Sequence, residues 1–211
     1  SGEAPRVYRG GAKDEGAVYE PFARALRARF GIVEGMDAEA AKAQVRAQVS
    51  QVLEDRKVGD VAYFLGQLLD LEFADSPLIK AVEGDAAQLK SLRRAVIKRF
   101  LEADALAGGP PRGRSPVVLV FDDLHWAHDE SLDLIAQLIE QSRAPLLFIC
   151  LGRPELVARR DDWMRHGAAR HRLLEVGPLP ESDAAATMND LLGPCGDEEA
   201  VADLVDAACT L

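Results

Sequence analysis

An α/β fold, a parallel sheet flanked by helices, is predicted for this 211-residue chain by three features. Val117-Val118-Leu119-Val120-Phe121 and Leu146-Leu147-Phe148-Ile149-Cys150-Leu151 are continuous apolar runs, the pattern of strands buried on both faces. Between them Leu132, Ile135, Leu138 and Ile139 recur at helical spacing from about Asp129 to Gln141, the crossover that a parallel pair requires. Upstream, residues 21–106 read as nearly all helix.

Taken in order, Arg6-Val7-Tyr8-Arg9 is a short strand-like run stopped by Gly10-Gly11. Pro21 suits a first helical turn, and Phe22, Leu26 and Phe30 form one helical stripe after it. Asp37 is the expected N-cap of a helix to Asp55, with Val45, Val49, Val52 and Leu53 on one face. Tyr63 to Leu71 belongs to a third helix, and Leu89, Leu92, Val96 and Phe100 mark a fourth between Ala86 and Ala105. The Gly- and Pro-rich stretch from Ala107 to Pro116 is a loop. Beyond the α/β part, Arg172 to Val176 is a candidate strand, Ser182 to Leu192 a helix, and Glu198 to Leu211 a last helical stretch without a stop signal. Ser1 and that open-ended helix lead us to expect a segment of a longer polypeptide.

Composition narrows the function classes. Asp and Glu number 35 against 25 Lys and Arg, and the net charge of −10 repels a phosphate backbone, which disfavours direct nucleic-acid binding. The local basic group Arg159, Arg160, Arg165, Arg170 and Arg172 reads as a solvated surface with acidic neighbours. Cys150, Cys195 and Cys209 lack metal-ligand spacing and are read as reduced thiols, with Cys150 serving as a small hydrophobe. No apolar run approaches membrane-spanning length, so no membrane partner and a cytoplasmic location are expected.

Chemistry concentrates where the first apolar run ends in Asp122-Asp123. A buried strand ending in two acids delivers both charges to the carboxyl edge of the sheet, where open α/β folds bind ligands. Such a pair can hold a water of a Mg²⁺ shell with the first acid and polarise an attacking water with the second. Equally, it can cap the following turn. Arg153, at the end of the next strand, has a guanidinium suited to bidentate contact with phosphate oxygens, or to a surface ion pair with Glu155. A metal cluster of His125, His128 and Asp129 does not match a standard zinc spacing.

Asp122-Asp123-Leu124-His125-Trp126-Ala127, followed by Ser131-Leu132, closely resembles the DDLHWAD-type Walker B signature of STAND/AAA ATPase modules. Those modules occur in large bacterial regulators, among them Ser/Thr kinases, nucleotide cyclases and LuxR-like transcription activators. His128 stands where that family typically has Asp. Further landmarks follow in order: Tyr19-Glu20-Pro21-Phe22-Ala23-Arg24-Ala25-Leu26-Arg27 resembles the segment after the P-loop helix, Leu146 to Glu155 the strand with the phosphate sensor, and Val176 to Pro180 the approach to the lid.

The resemblance implies a P-loop NTPase-like fold. Residues 1–178 would form an incomplete ATPase core with a helical insertion at about 34–106, and residues 179–211 the truncated start of a helical lid. It implies ATP and Mg²⁺ as cofactors, with Asp122 holding Mg²⁺ through water, Asp123 as catalytic base and Arg153 sensing the γ-phosphate. The expected partners are other domains of the parent chain, a kinase, cyclase or DNA-binding effector, together with ATP-dependent self-association. No G-x-x-x-x-G-K-S/T occurs in the 211 residues. Gly10-Gly11-Ala12-Lys13-Asp14 comes nearest, but Asp follows the Lys where the loop needs Ser or Thr. The phosphate-gripping loop is therefore expected ahead of Ser1, so that hydrolysis belongs to the full-length protein. The competing expectation is a catalytically silent scaffold for protein–protein interaction.

Overall fold

Three parallel strands lie in the order β1 (Arg6–Gly11), β2 (Val117–Asp122), β3 (Leu146–Cys150). Their register sets Gly11 opposite Asp122 and Phe121 opposite Cys150, so the three carboxyl ends finish together. The computed structural model describes residues 4–53, 58–73, 84–107, 115–163 and 170–192. Within these, helices α1 (Glu20–Phe30), α2 (Ala38–Val52), α3 (Val58–Leu68) and α4 (Ala86–Leu106) separate β1 from β2. Helix α5 (Asp129–Gln141) connects β2 to β3, and α6 (Pro154–Arg159) follows. The predicted α/β class, a parallel sheet flanked by helices, is the observed one.

Sequence features set the helix boundaries. Tyr19, in the left-handed region at φ 64°, precedes α1, and Pro21 fills its first turn. Gly31 ends that helix at φ 66°, a conformation that glycine adopts without a Cβ penalty. Asp37 caps α2 by accepting the Ala40 N–H at 3.0 Å, and Asp85 caps α4 through Gln88 N–H at 3.0 Å. Helix α3 stops at Leu68, short of the predicted Leu71, where the chain reverses through Asp70 at φ 56°.

Gly10 and Gly11 correct the first prediction. They do not stop β1; they belong to it. A Cβ on Gly10 would lie 2.0 Å from the Pro21 carbonyl oxygen, so the glycine lets the backbone of α1 approach the strand.

One face of the sheet is core. Tyr8, Val117, Leu119 and Phe121 are buried there, and Phe121 meets Phe22 of α1 edge-on with ring centroids 4.9 Å apart. The other face leaves Val7, Leu147 and Ile149 exposed. The apolar runs predict cover on both faces, yet among the described residues the helices cover one. Strands that neighbour one another in sequence order, joined by right-handed crossovers, put every connecting helix on the same side. The far edge of β3 is likewise unpaired among the described residues. Pro145 O and Leu151 N face β2, so the alternating backbone groups of Leu146, Phe148 and Cys150 turn outward.

Helix α4 is anchored by a charge at the base of this core. Asp104 has no solvent exposure and pairs with Arg6 Nη1 at 2.9 Å and Arg29 Nη2 at 2.7 Å. Burial first, and then the Asp104 charge, push the Tyr8 hydroxyl above its ordinary value.

The chain divides into two compact units, Ser1–His171 and Arg172–Leu211. In the second unit, the candidate strand at Arg172–Val176 has no ladder among the described residues, so it is not a strand. Leu173 and Leu174 are both exposed, as is Val176, and the run lacks the alternation that would bury one face. Helix α7 (Glu181–Leu192) follows. The predicted helix at Glu198–Leu211 lies outside the described residues, as do Cys195 and Cys209.

Candidate functional site

Phe121 is buried and Asp122, next along β2, is exposed, so the strand carries the chain out of the core and ends on a carboxylate. Backbone bonds fix the exit. Leu151 N–H donates to Phe121 O at 2.8 Å, and Leu124 N–H donates to Leu151 O at 3.0 Å. Ala12 N–H donates to Asp122 O at 3.0 Å from the other side. The turn after β2 is thereby tied to the ends of both neighbouring strands.

Asp123 makes the reversal. It sits in the left-handed region at φ 54°, ψ 33°, which Asp tolerates better than most residues, and the one-turn 3₁₀ helix Leu124–Trp126 begins there. Asp122 Oδ1 accepts the Asp123 N–H at 2.8 Å, so one oxygen of Asp122 caps the turn and the other has no partner among the described residues. Both readings of the acid pair therefore survive in one residue: a cap with one oxygen, a free ligand atom with the other. The His125 ring is almost buried, with 6% of its side chain exposed, and its Nδ1 lies 4.0 Å from Asp123 Oδ1. Neither ring nitrogen has a hydrogen-bond partner among the described residues. Trp126 is exposed and its ring centroid lies 4.9 Å from that of His125.

His128 precedes α5 without capping it; its Nε2 is 2.8 Å from Gly16 O and fastens the loop after β1 to this turn. Ser131 Oγ accepts the Tyr19 N–H at 3.0 Å and ties the same loop down a second time. Asp129 and Glu130 occupy the first turn of α5, where acids suit the helix dipole. A hydrogen bond from Lys90 holds the Glu130 carboxyl below its ordinary value.

Asp122 and Asp123 open on a cavity of about 370 Å³ at the carboxyl edge, on the side of the uncovered sheet face. Arg9, Gly10, Gly11, Ala12, Arg24, Val120 and Leu151 complete its lining. The structure thus brings the two acids together. Arg153 starts α6 two residues past Leu151, at the same edge, but its exposed side chain does not line the cavity. No ion pair joins it to Glu155. The lining cations are Arg9 and Arg24, which the sequence reading did not single out.

The remaining candidates behave as structure. Arg159 and Arg160 pair with Asp129 at 3.8 and 3.3 Å, and Arg160 also with Asp133 at 2.9 Å and Asp162 at 3.0 Å. Arg165 lies outside the described residues. Cys150 is half-buried on β3, and burial pushes its thiol up to about 12, far from a reactive thiolate. Among the described residues no group of three or more His, Cys, Asp or Glu gathers as a metal cluster.

The residues fit a hard cation held through water: an exposed carboxylate with one free oxygen, next to a second carboxylate. No curated protein and no solved structure matches the chain. A family model does: the AAA ATPase domain matches residues 3–149, which span the sheet, the helices between β1 and β2, and the Asp122-Asp123 turn. The chain belongs to the AAA ATPase domain family.

Proposed function

We propose that this chain is part of an ATP-binding and ATP-hydrolysing switch module in a larger bacterial signal-transduction or transcription-regulating protein. The observation that carries the reading is the pair Asp122-Asp123, adjacent acids at the carboxyl end of the central strand, opening on a cavity that also holds two arginines. Mg²⁺, when bound, supplies charge that offsets the phosphate oxygens. The free oxygen of Asp122 would hold that ion through water. Asp123 accepts the proton of the water that adds to the terminal phosphorus as the bond to the ADP oxygen breaks, and Arg153 is assigned to the terminal phosphate oxygens. Residues 1–178 form the core of this module, with an insertion at about 34–106, and residues 179–211 begin its lid.

The phosphate-gripping loop is supplied by a strand that adds to β3. Two observations support this: the outward backbone groups of Leu146, Phe148 and Cys150, and the uncovered apolar face at Val7, Leu147 and Ile149. A strand there gains a full ladder, and its following helix gains an apolar face to cover. Nucleotide state then biases domain closure and, through it, the effector domains of the parent chain and its self-association.

The second reading, a silent scaffold, is favoured by one fact alone: none of the 211 residues forms a G-x-x-x-x-G-K-S/T loop. Equilibrium binding of ATP with Mg²⁺ to the full-length protein separates the two. The switch reading expects saturable binding in the micromolar range, about −8 kcal/mol. Absence of binding, in a parent that lacks the Walker A lysine, leaves the scaffold reading.

A further inference from the structure

Arg24 ends in the cavity, and a connected set of contacts holds it there. It lies one turn into α1 and pairs with Glu20 four residues earlier, Nη2 to Oε1 at 2.8 Å. Its Nη1 lies 3.8 Å from the position a Cβ would take on Gly11, the residue opposite Asp122 in the β1–β2 ladder. The guanidinium therefore reaches the strand ends beside the acid pair.

Glu20 is itself packed against from the other side. Its Oε2 is buried without a hydrogen-bond partner, and Gly16 lies against it so closely that a Cβ there would be 2.0 Å away. Burial raises the Glu20 carboxyl above its ordinary value. A carboxylate with one desolvated, unpaired oxygen is an expensive way to build a helix terminus, and Arg24 is its charge partner. The Gly16 carbonyl is in turn bonded to His128 at 2.8 Å, beside the Asp123 turn. Hydrogen bonding of His128 to Gly16, packing of Gly16 on Glu20 and the Glu20–Arg24 ion pair thus place one cation in the cavity that the acid pair lines. Arg9, the other lining cation, is on the exposed face of β1 and has no comparable support among the described residues.

A polyphosphate entering next to two carboxylates meets like charge, which a fixed cation at the same edge offsets. We propose that Arg24 is an anion-contacting residue of this site, taking the terminal phosphate of a nucleoside triphosphate from the β1 side, with Glu20 as its positioning residue. The proposal rests on the nucleotide reading above. It predicts a triphosphate-specific contribution, because the diphosphate lacks the group that Arg24 meets.

The test is equilibrium binding of ATP and of ADP, each with Mg²⁺, to the full-length protein and its variants. Arg24→Gln is expected to weaken ATP binding at least about ten-fold while ADP stays within about two-fold, the size of one lost charge-assisted contact. Arg24→Lys is expected to recover part of the loss, since it keeps the charge without the fork. Arg24→Gln binding ATP within two-fold of the parent, or losing ADP affinity in the same proportion, overturns the role of Arg24 and leaves the nucleotide reading standing. Should Arg24→Gln fail to fold, Glu20→Gln serves instead: it frees the guanidinium, and the ATP-to-ADP preference is expected to fall about three-fold or more, an unchanged preference overturning the proposal. If the parent protein binds neither nucleotide, the nucleotide reading itself falls, and this inference with it.

Discussion

Asp104 is a carboxylate with no exposure, and its worth lies in the charges it neutralises. Arg29 brings three guanidinium contacts to it at 2.7–3.0 Å, with 12% of the Arg29 side chain exposed, and Arg6 adds another at 2.9 Å. Removing one partner of such a group leaves the other buried and unpaired. Asp104→Ala is therefore expected to lower unfolding free energy by about 3–5 kcal/mol, read from urea denaturation. A loss below about 1 kcal/mol would mean that the arginines find water instead. At this scale the sequence was legible in part. Asp122 and Asp123 were legible because Asp122-Asp123-Leu124-His125-Trp126-Ala127 matches a family signature; the acid pair alone can equally cap a turn. Asp104 and Arg24 did not, because a charged residue within a helix reads as solvated surface until the partner, 75 or more residues away for Asp104, is in place.

Elements meet where side chains are smallest. Helix α1 lies on β1 across Gly10, whose absent Cβ leaves room for the Pro21 carbonyl. That oxygen is backbone and cannot swing aside, so Gly10→Ala is expected to cost about 1–3 kcal/mol or more. A shift in thermal midpoint of several degrees would report it; an unchanged midpoint would show that α1 can slide. Local pattern therefore misread this pair of glycines as a strand stop. Glycine in a strand signals either an ending or a close approach, and only the tertiary neighbour decides which. The opposite error occurred at Arg172–Val176, where a short run with three apolar residues suggested a strand but no ladder forms among the described residues. By contrast β2, α5 and β3 were legible to within a residue, since a helix-spaced apolar stripe lies between two apolar runs too short for buried helices.

At the scale of the molecule, the class of fold and the AAA ATPase domain membership agree: a parallel sheet, helices on its covered face, and an acid pair at the carboxyl edge. What the sequence could not convey was the asymmetry of the sheet. The apolar runs are equally apolar on both faces, and nothing in them tells which face the helices between β1, β2 and β3 will occupy. That follows from connection handedness and strand order. The cavity at the carboxyl edge is lined by the acid pair, by Arg24 with its Glu20 partner and by Arg9, and no phosphate-gripping loop lines it among the described residues. At this edge we propose Asp123 as the acceptor of the attacking water's proton. That role is tested most directly by Mg²⁺-dependent ATP turnover of the full-length protein carrying Asp123→Asn, with ATP binding measured alongside. Turnover is expected to fall at least about 100-fold with affinity held within about three-fold; turnover within a few-fold of the parent protein would remove Asp123 from the base role.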